Sequence, residues 1–362
     1  IFSKLSRLYL AIGEIKRARE FALKCLKKYP TETNYYELFS EMIDLNKDKQ
    51  FFIDMENLYH NQNLTKSEII NLAFPLGQGY DKLKNYKKAF SFFKKGNELK
   101  KSQINFNIDD LLTLTESIKK TFLDLDHKKI KKNKSKKKII FICGMPRSGT
   151  TLIEQIISSH FEVEPTGENN VLSPFINKNY LKKYNLDKEK IHNDIFSTEN
   201  LFQDYVFNSF DELKYTSKVF SDKSIQNFLW IGFIKFFFPN SKIVVTERNS
   251  RDVCLSIFKN NFIHGFMNWA YDQKDIANFY NIYLDLINFW KKNYDDIYTI
   301  KYETLIDNSE QEIKNLINFC GLDWDPNCLN HHKNKFGIKT ASITQARKPI
   351  YKSSKNLYEN YA

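Results

Sequence analysis

Apolar residues in positions 1–125 lack the alternation of strands and recur instead at helical spacing, with small residues at regular offsets. One stretch runs Ala18, Ala22, Cys25, Pro30, at offsets of 4, 3 and 5. A second runs Leu76, Gly77, Tyr80, Ala89, Phe93, Gly96, and its last three members repeat the offsets of 4 and 3. Small side chains so placed let two antiparallel helices approach closely, while an aromatic ring fills the gap between them. The pattern predicts an all-α region over residues 1–125.

From residue 139 the pattern switches. Ile139 to Cys143 is a short β-branched and aromatic run, followed by a Gly-rich turn and a helical stretch with Leu152, Ile153, Ile156 and Ile157. Ser241 to Glu247 repeats the theme, with Arg248 and a helical stretch to Phe258 after it. Ile297 to Tyr302 reads as a third buried strand. Strands separated by helices predict an α/β domain over residues 139–362, a parallel sheet covered by helices. Between the two regions, residues 126–138 hold Lys128, Lys129, Lys131, Lys132, Lys134, Lys136, Lys137 and Lys138. No aromatics interleave this run, so it reads as a solvated basic linker; a nucleic-acid or localisation patch is the alternative. The most apolar window, Phe228 to Val245, is broken by Lys235, Pro239, Asn240 and Lys242. It reads as helix, turn and strand, not a membrane span.

The small-residue pattern of the first region resembles the tetratricopeptide repeat, whose period is about 34 residues. Ala18 and Ala89 lie 71 residues apart, about two periods, with a degenerate middle repeat at roughly 36–68. A plain helical bundle is the alternative. The chain begins at Ile1 and not Met, which reads as a fragment with an incomplete first repeat. A formal net charge of +12 favours anionic partners, although Lys, Asn, Ile and Phe are abundant throughout, as in a biased genome. Five scattered cysteines without a CxxC pair read as reduced thiols of a cytoplasmic protein.

The strongest local signal is Gly144-Met145-Pro146-Arg147-Ser148-Gly149-Thr150-Thr151, between the first strand and its helix. Its glycines let the backbone curl so that amides point at an anion, and the helix N-terminus adds its positive end. Against the nucleotide-triphosphatase loop G-x-x-x-x-G-K-[ST], both glycines and the last hydroxyl match, but Thr150 stands where the lysine belongs. A kinase or ATPase needs that lysine and magnesium. A group that carries less negative charge in transfer than a phosphoryl group is one that Arg147, hydroxyls and amides can hold without a metal.

Pro146-Arg147-Ser148-Gly149-Thr150-Thr151-Leu152 resembles the 5′-phosphosulfate loop of sulfotransferases that use 3′-phosphoadenosine 5′-phosphosulfate (PAPS). Tyrosylprotein sulfotransferases and bacterial tetratricopeptide sulfotransferases are the most similar. The likeness continues in order through His160, Gly167-Glu168, Asp222-Lys223, Phe238-Pro239-Asn240 and Glu247-Arg248-Asn249-Ser250-Arg251-Asp252. It then takes in Tyr302-Glu303, Gly321-Leu322-Asp323-Trp324, Thr340-Ala341-Ser342, Gln345 and Lys348-Pro349. Phe161 replaces a usual proline, and Asn169 follows Glu168 where the tyrosine enzymes have a second acid.

The resemblance implies a P-loop-like sulfotransferase domain. In it, Arg147, Ser148, Gly149, Thr150 and Thr151 hold the phosphosulfate, and Arg248 with Ser256 hold the 3′-phosphate. A surface ion pair is the plainer role for Arg248, and Arg251 is read as pairing with Asp252 or Glu247. Glu168 is implied as the base, Lys223 and Ser342 as groups that steady the leaving phosphate, and Tyr302 as a stacking partner for adenine or a core residue. His160 is the competing base, though at a helix end it reads as a capping residue. His331 and His332 lack metal-ligand spacing and read as surface residues. Lys355 lies near the family's later basic position without a clean match. The implied reaction moves a sulfuryl group from PAPS to an acceptor hydroxyl and releases PAP. A protein tyrosine presented by the repeats is one acceptor; a carbohydrate or small-molecule hydroxyl is another. The rival classes are a P-loop kinase and a non-catalytic repeat scaffold on a retired nucleotide fold.

Overall fold

A computed structural model describes residues 1–40, 42–61, 63–123, 137–184, 187–195, 199–212, 217–262, 265–334, 336–338 and 343–361. The basic run from Lys128 to Lys136 and the expected Ser342 lie outside the described residues.

The first 123 residues, where described, form only helices and their turns: α1 (Phe2–Ala11), α2 (Ile15–Lys28), α3 (Thr33–Ser40), α4 (Lys49–Tyr59), α5 (Lys66–Lys82), α6 (Tyr86–Lys101) and α7 (Ile108–Leu123). Small residues set their spacing, as expected. Ala18, Ala22 and Ala89 are fully buried, and a Cβ added at Gly77 would lie 2.5 Å from the Phe93 ring. A capping box of Thr65 and Glu68 starts α5.

The remainder is built on a five-stranded parallel sheet ordered β2-β3-β1-β4-β5. The strands are β1 (Lys138–Gly144), β2 (Val163–Gly167), β3 (Val219–Asp222), β4 (Lys242–Glu247) and β5 (Ile297–Lys301). Lys138, the last residue of the expected linker, thus opens β1. Alternation divides the core. Ile140, Ile142 and Val244 pack on one face with α8 (Thr150–Ile157), while Ile139, Phe141, Cys143 and Val245 face the other. That second cluster continues without a break to Leu10 and Ala18, so the helical array and one sheet face share a core. Phe122 at the end of α7 packs edge-on against Phe233 and Trp290. Among the described residues no helix is long and apolar enough to cross a membrane.

Candidate active site

All five strands run the same way, so their carboxyl ends form one edge, the usual ligand-binding edge of such sheets. Reading across it, Glu168 follows β2, Lys223 follows β3, the Gly-rich turn follows β1, Arg248 follows β4 and Tyr302 follows β5. Neighbouring strands are about 4.8 Å apart, so Glu168 and Arg248 stand at β2 and β4 ends about 14 Å apart.

The turn between β1 and α8 is shaped by two residues with left-handed backbone, Arg147 at φ 70° and Gly149 at φ 110°. A Cβ at Gly144 would sit 2.1 Å from Thr246 Oγ1, so only glycine lets β4 pass this closely. Ser148 shapes the turn from within: its amide donates to Met145 O at 3.1 Å, and its buried hydroxyl pairs with Thr246 Oγ1 at 2.7 Å. Thr150 and Thr151 open α8 behind Gly149.

Arg147 reaches away from its own loop. Its Nε donates to Ser256 Oγ at 3.0 Å on α9 (Ser250–Phe258), and a terminal nitrogen donates to Gln345 Oε1 at 2.7 Å. Arg248 is nearly buried beside it. It donates to Arg147 O at 3.1 Å and to Ser354 O at 2.6 Å, and lies 4.0 Å from Asp252. Its buried Nε has no partner, which leaves a donor for a ligand. The guanidinium stacks 4.6 Å above the Tyr302 ring, whose hydroxyl pairs with Ser354 Oγ at 2.8 Å. One face of Tyr302 is therefore covered by arginine. These groups line a cleft of about 1160 Å³ between the sheet edge, the C-terminal segment and the helical array.

At the β2 and β3 ends, Lys223 Nζ donates to Glu168 Oε1 at 2.8 Å. The lysine side chain is 2% exposed and the glutamate 32%, so the pair points outward through its carboxylate. Beneath it lies Glu154 of α8, a buried acid that the sequence pattern did not single out. Burial raises its carboxyl to about 7, helped by Asp222 and Glu168 and opposed by Lys223, and its Oε1 has no hydrogen-bond partner. Asp222 is also raised by burial, against hydrogen bonds from Asn227 and Ser224. Both amide atoms of Asn169 are likewise buried and unpartnered. Thr246 is the other unforeseen contributor, since a threonine ending a buried strand carries no distinguishing signal.

Several expectations are corrected. His331 is not a surface residue: it is 1% exposed, burial lowers it to about 4, and its Nε2 donates to Lys348 O at 3.2 Å. His160 is buried with its Nε2 on Asp323 O at 2.9 Å, tying two segments together instead of capping its own helix. Arg251 stacks 5.2 Å above the Tyr358 ring, because Lys291 takes Glu247 and backbone amides of residues 356 and 358 take Asp252. Lys355 pairs with Asp307 at 2.7 Å, so its charge is engaged elsewhere. Among the described residues no cluster of His, Cys, Asp or Glu could hold a metal.

A strand, a curled glycine turn and a helix, with cations at the strand ends on either side, define an α/β fold of P-loop-like form. The sulfotransferase family model matches residues 140–326, more than half of the chain, and the chain belongs to that family. An uncharacterized protein of Aquifex aeolicus is 30% identical over the whole of this chain, which spans 48% of that relative. A putative protein-tyrosine sulfotransferase of Caenorhabditis briggsae is 26% identical over 54% of this chain and 69% of its own. The chain thus spans about half the length of its Aquifex relative. Among solved structures, the sulfotransferase domain of the Synechococcus PCC 7002 olefin synthase is similar at a TM-score of 0.45. It is 16% identical, covering 64% of this chain and 90% of its own.

Proposed function

We propose that this chain transfers the sulfuryl group of PAPS to an acceptor hydroxyl and releases PAP. The observation that carries the reading is the Lys223–Glu168 pair at the strand ends beside the curled turn, two and three strand positions from Arg248. Residues present fit the nucleotide. Arg248 keeps a buried, unpartnered donor, and Gly149 lets the Tyr302 ring pack directly against the turn. Arg248 and Ser256 hold the ribose phosphate in this reading, and the amides and hydroxyls from Arg147 to Thr151 hold the phosphosulfate.

The acceptor oxygen attacks sulfur as the bond from sulfur to the phosphate oxygen breaks. Glu168 takes the hydroxyl proton, a role worth roughly a hundred- to ten-thousand-fold. Lys223 stabilises the charge that grows on the leaving phosphate oxygen, because a preorganised ammonium interacts more strongly with developing than with initial charge. Ser342 is assigned to the same leaving group from the family pattern alone. The kinship with protein-tyrosine sulfotransferases supports a protein tyrosine as acceptor. The paired helices and their small-residue contacts support the tetratricopeptide reading, with the array presenting that protein. A cytoplasmic setting and a boundary near residues 126–138 belong to the same proposal.

Glu168→Gln tests the chemistry. It keeps a similar shape and the contact to Lys223, so PAP affinity by calorimetry stays near that of the unaltered chain. Sulfate transfer from labelled PAPS falls at least about a hundredfold. Undiminished transfer removes Glu168 from the role of base.

A further inference from the structure

The helical array does more than adjoin the nucleotide cleft. It forms a wall of it, to which it brings the cation Lys82 and the acids Glu37 and Asp81. The C-terminal end of α5 brings Lys82 into the lining, and the C-terminal segment brings Lys348. Burial lowers the Lys82 ammonium and the nearby Lys348 lowers it further, while Asp81, Asp44 and Asp48 raise it. Among the described residues, one of the three Lys82 ammonium protons is engaged, by Ile43 O at 3.3 Å. The acids on this wall are occupied. Asp81 pairs with Lys259 at 2.7 Å and accepts from Tyr361, while Glu37 accepts from Asn261 at 2.8 Å.

A short path fixes which end of the cleft this is. Lys348 N donates to Gln345 O at 3.2 Å, and the Gln345 side chain accepts from Arg147, whose Nε is on Ser256. Lys348 therefore belongs to the Arg248–Ser256 end, and Lys82 lines the same cleft. Lys223 and Glu168 are not part of the lining. Two cations on facing sides of one cleft attract a multivalent anion placed between them.

We propose that the N-terminal helices complete the nucleotide site: Lys82 of α5, with Lys348, receives the ribose phosphate of the bound nucleotide from the wall opposite Arg248 and Ser256. The inference rests on the sulfotransferase reading above. It gives the helical array a part in donor binding that is separate from any hold on the acceptor.

Calorimetry on the full chain with PAP and with adenosine 5′-phosphosulfate, which lacks the ribose phosphate, decides the matter. Lys82→Ala and Lys348→Ala each weaken PAP about tenfold, the size of one lost charge-assisted contact, and leave adenosine 5′-phosphosulfate nearly unchanged. The PAP effect fades in high salt. Both substitutions are at the cleft surface, and an unchanged unfolding midpoint checks that the fold survives. Unaltered PAP affinity in the double variant overturns the proposal, as does equal weakening of both ligands. Arg248→Ala separates the two readings. If it weakens PAP and the lysine variants do not, only the helical wall is wrong; if the unaltered chain binds no PAP, the sulfotransferase reading falls with it.

Discussion

Glu154 sits one turn into α8, 5% exposed, under the Lys223–Glu168 pair. Its carboxyl titrates near 4.5 when solvated and at about 7 in the fold, so the folded chain holds a proton that the unfolded chain releases between those values. This contribution to stability is full below about 4.5 and is lost as pH rises through about 7, roughly 3 kcal/mol in all. Glu154→Gln removes the titration. Urea midpoints of the native chain fall more steeply between pH 5 and 8 than those of the variant; parallel slopes would show that Glu154 does not titrate there. The sequence hid this residue because α8 is buried nearly all round: Gln155 is 1% exposed beside it, so a polar side chain on this helix does not mark a solvent face. By contrast Arg147, Glu168, Lys223, Arg248, Ser256 and Tyr302 were named from motifs that resemble the family's, and the structure places all six at or beside the carboxyl edge of the sheet. What the motifs did not reveal was their contacts, such as Arg147 turned toward Ser256 and Tyr302 covered by Arg248.

The strand–turn–helix element depends on Gly149 for two separate reasons. Its φ of 110° disfavours any L side chain, and an added Cβ would stand 2.8 Å from the Tyr302 ring. Gly321 has a φ of 69° but open space around its Cα, so it isolates the backbone term. Gly321→Ala costs about 1 kcal/mol in urea unfolding, while Gly149→Ala costs about 2–4 kcal/mol and abolishes PAP binding by displacing the turn. Equal losses for the two alanines, with PAP still bound, would show that Tyr302 yields freely. The strands themselves were legible unevenly. β1, β4 and β5 stood out as β-branched runs. β2 did not, being an edge strand with Pro165, a register shift and Val163 as its one fully buried residue. β3 is only four residues long, too short for its apolar pair Val219-Phe220 to show a period.

At the scale of the molecule, the helical and α/β parts are joined as one packed body. A single apolar cluster runs from Leu10 to Trp290, and Asn97, 1% exposed, donates both to Phe93 O and across the junction to Phe258 O at 2.8 Å. Asp81 anchors Lys259 and Tyr361, and Arg347 reaches from the C-terminal segment to Ala11 O at 3.2 Å beside Gly13. A shared core predicts shared unfolding. Nature has provided separate reporters: Trp230, Trp269, Trp290 and Trp324 all lie in the α/β part, whereas far-UV circular dichroism is weighted by the helices of the array. Urea midpoints from fluorescence and circular dichroism coincide, as a single cooperative transition requires. Asn97→Ala leaves Phe258 O without its donor and costs about 1–3 kcal/mol. Because the body unfolds together, both probes shift by the same amount in that variant. Two midpoints in the unaltered chain, or a shift confined to the dichroism signal, would mean that the array and the sheet unfold as separate units despite their common core.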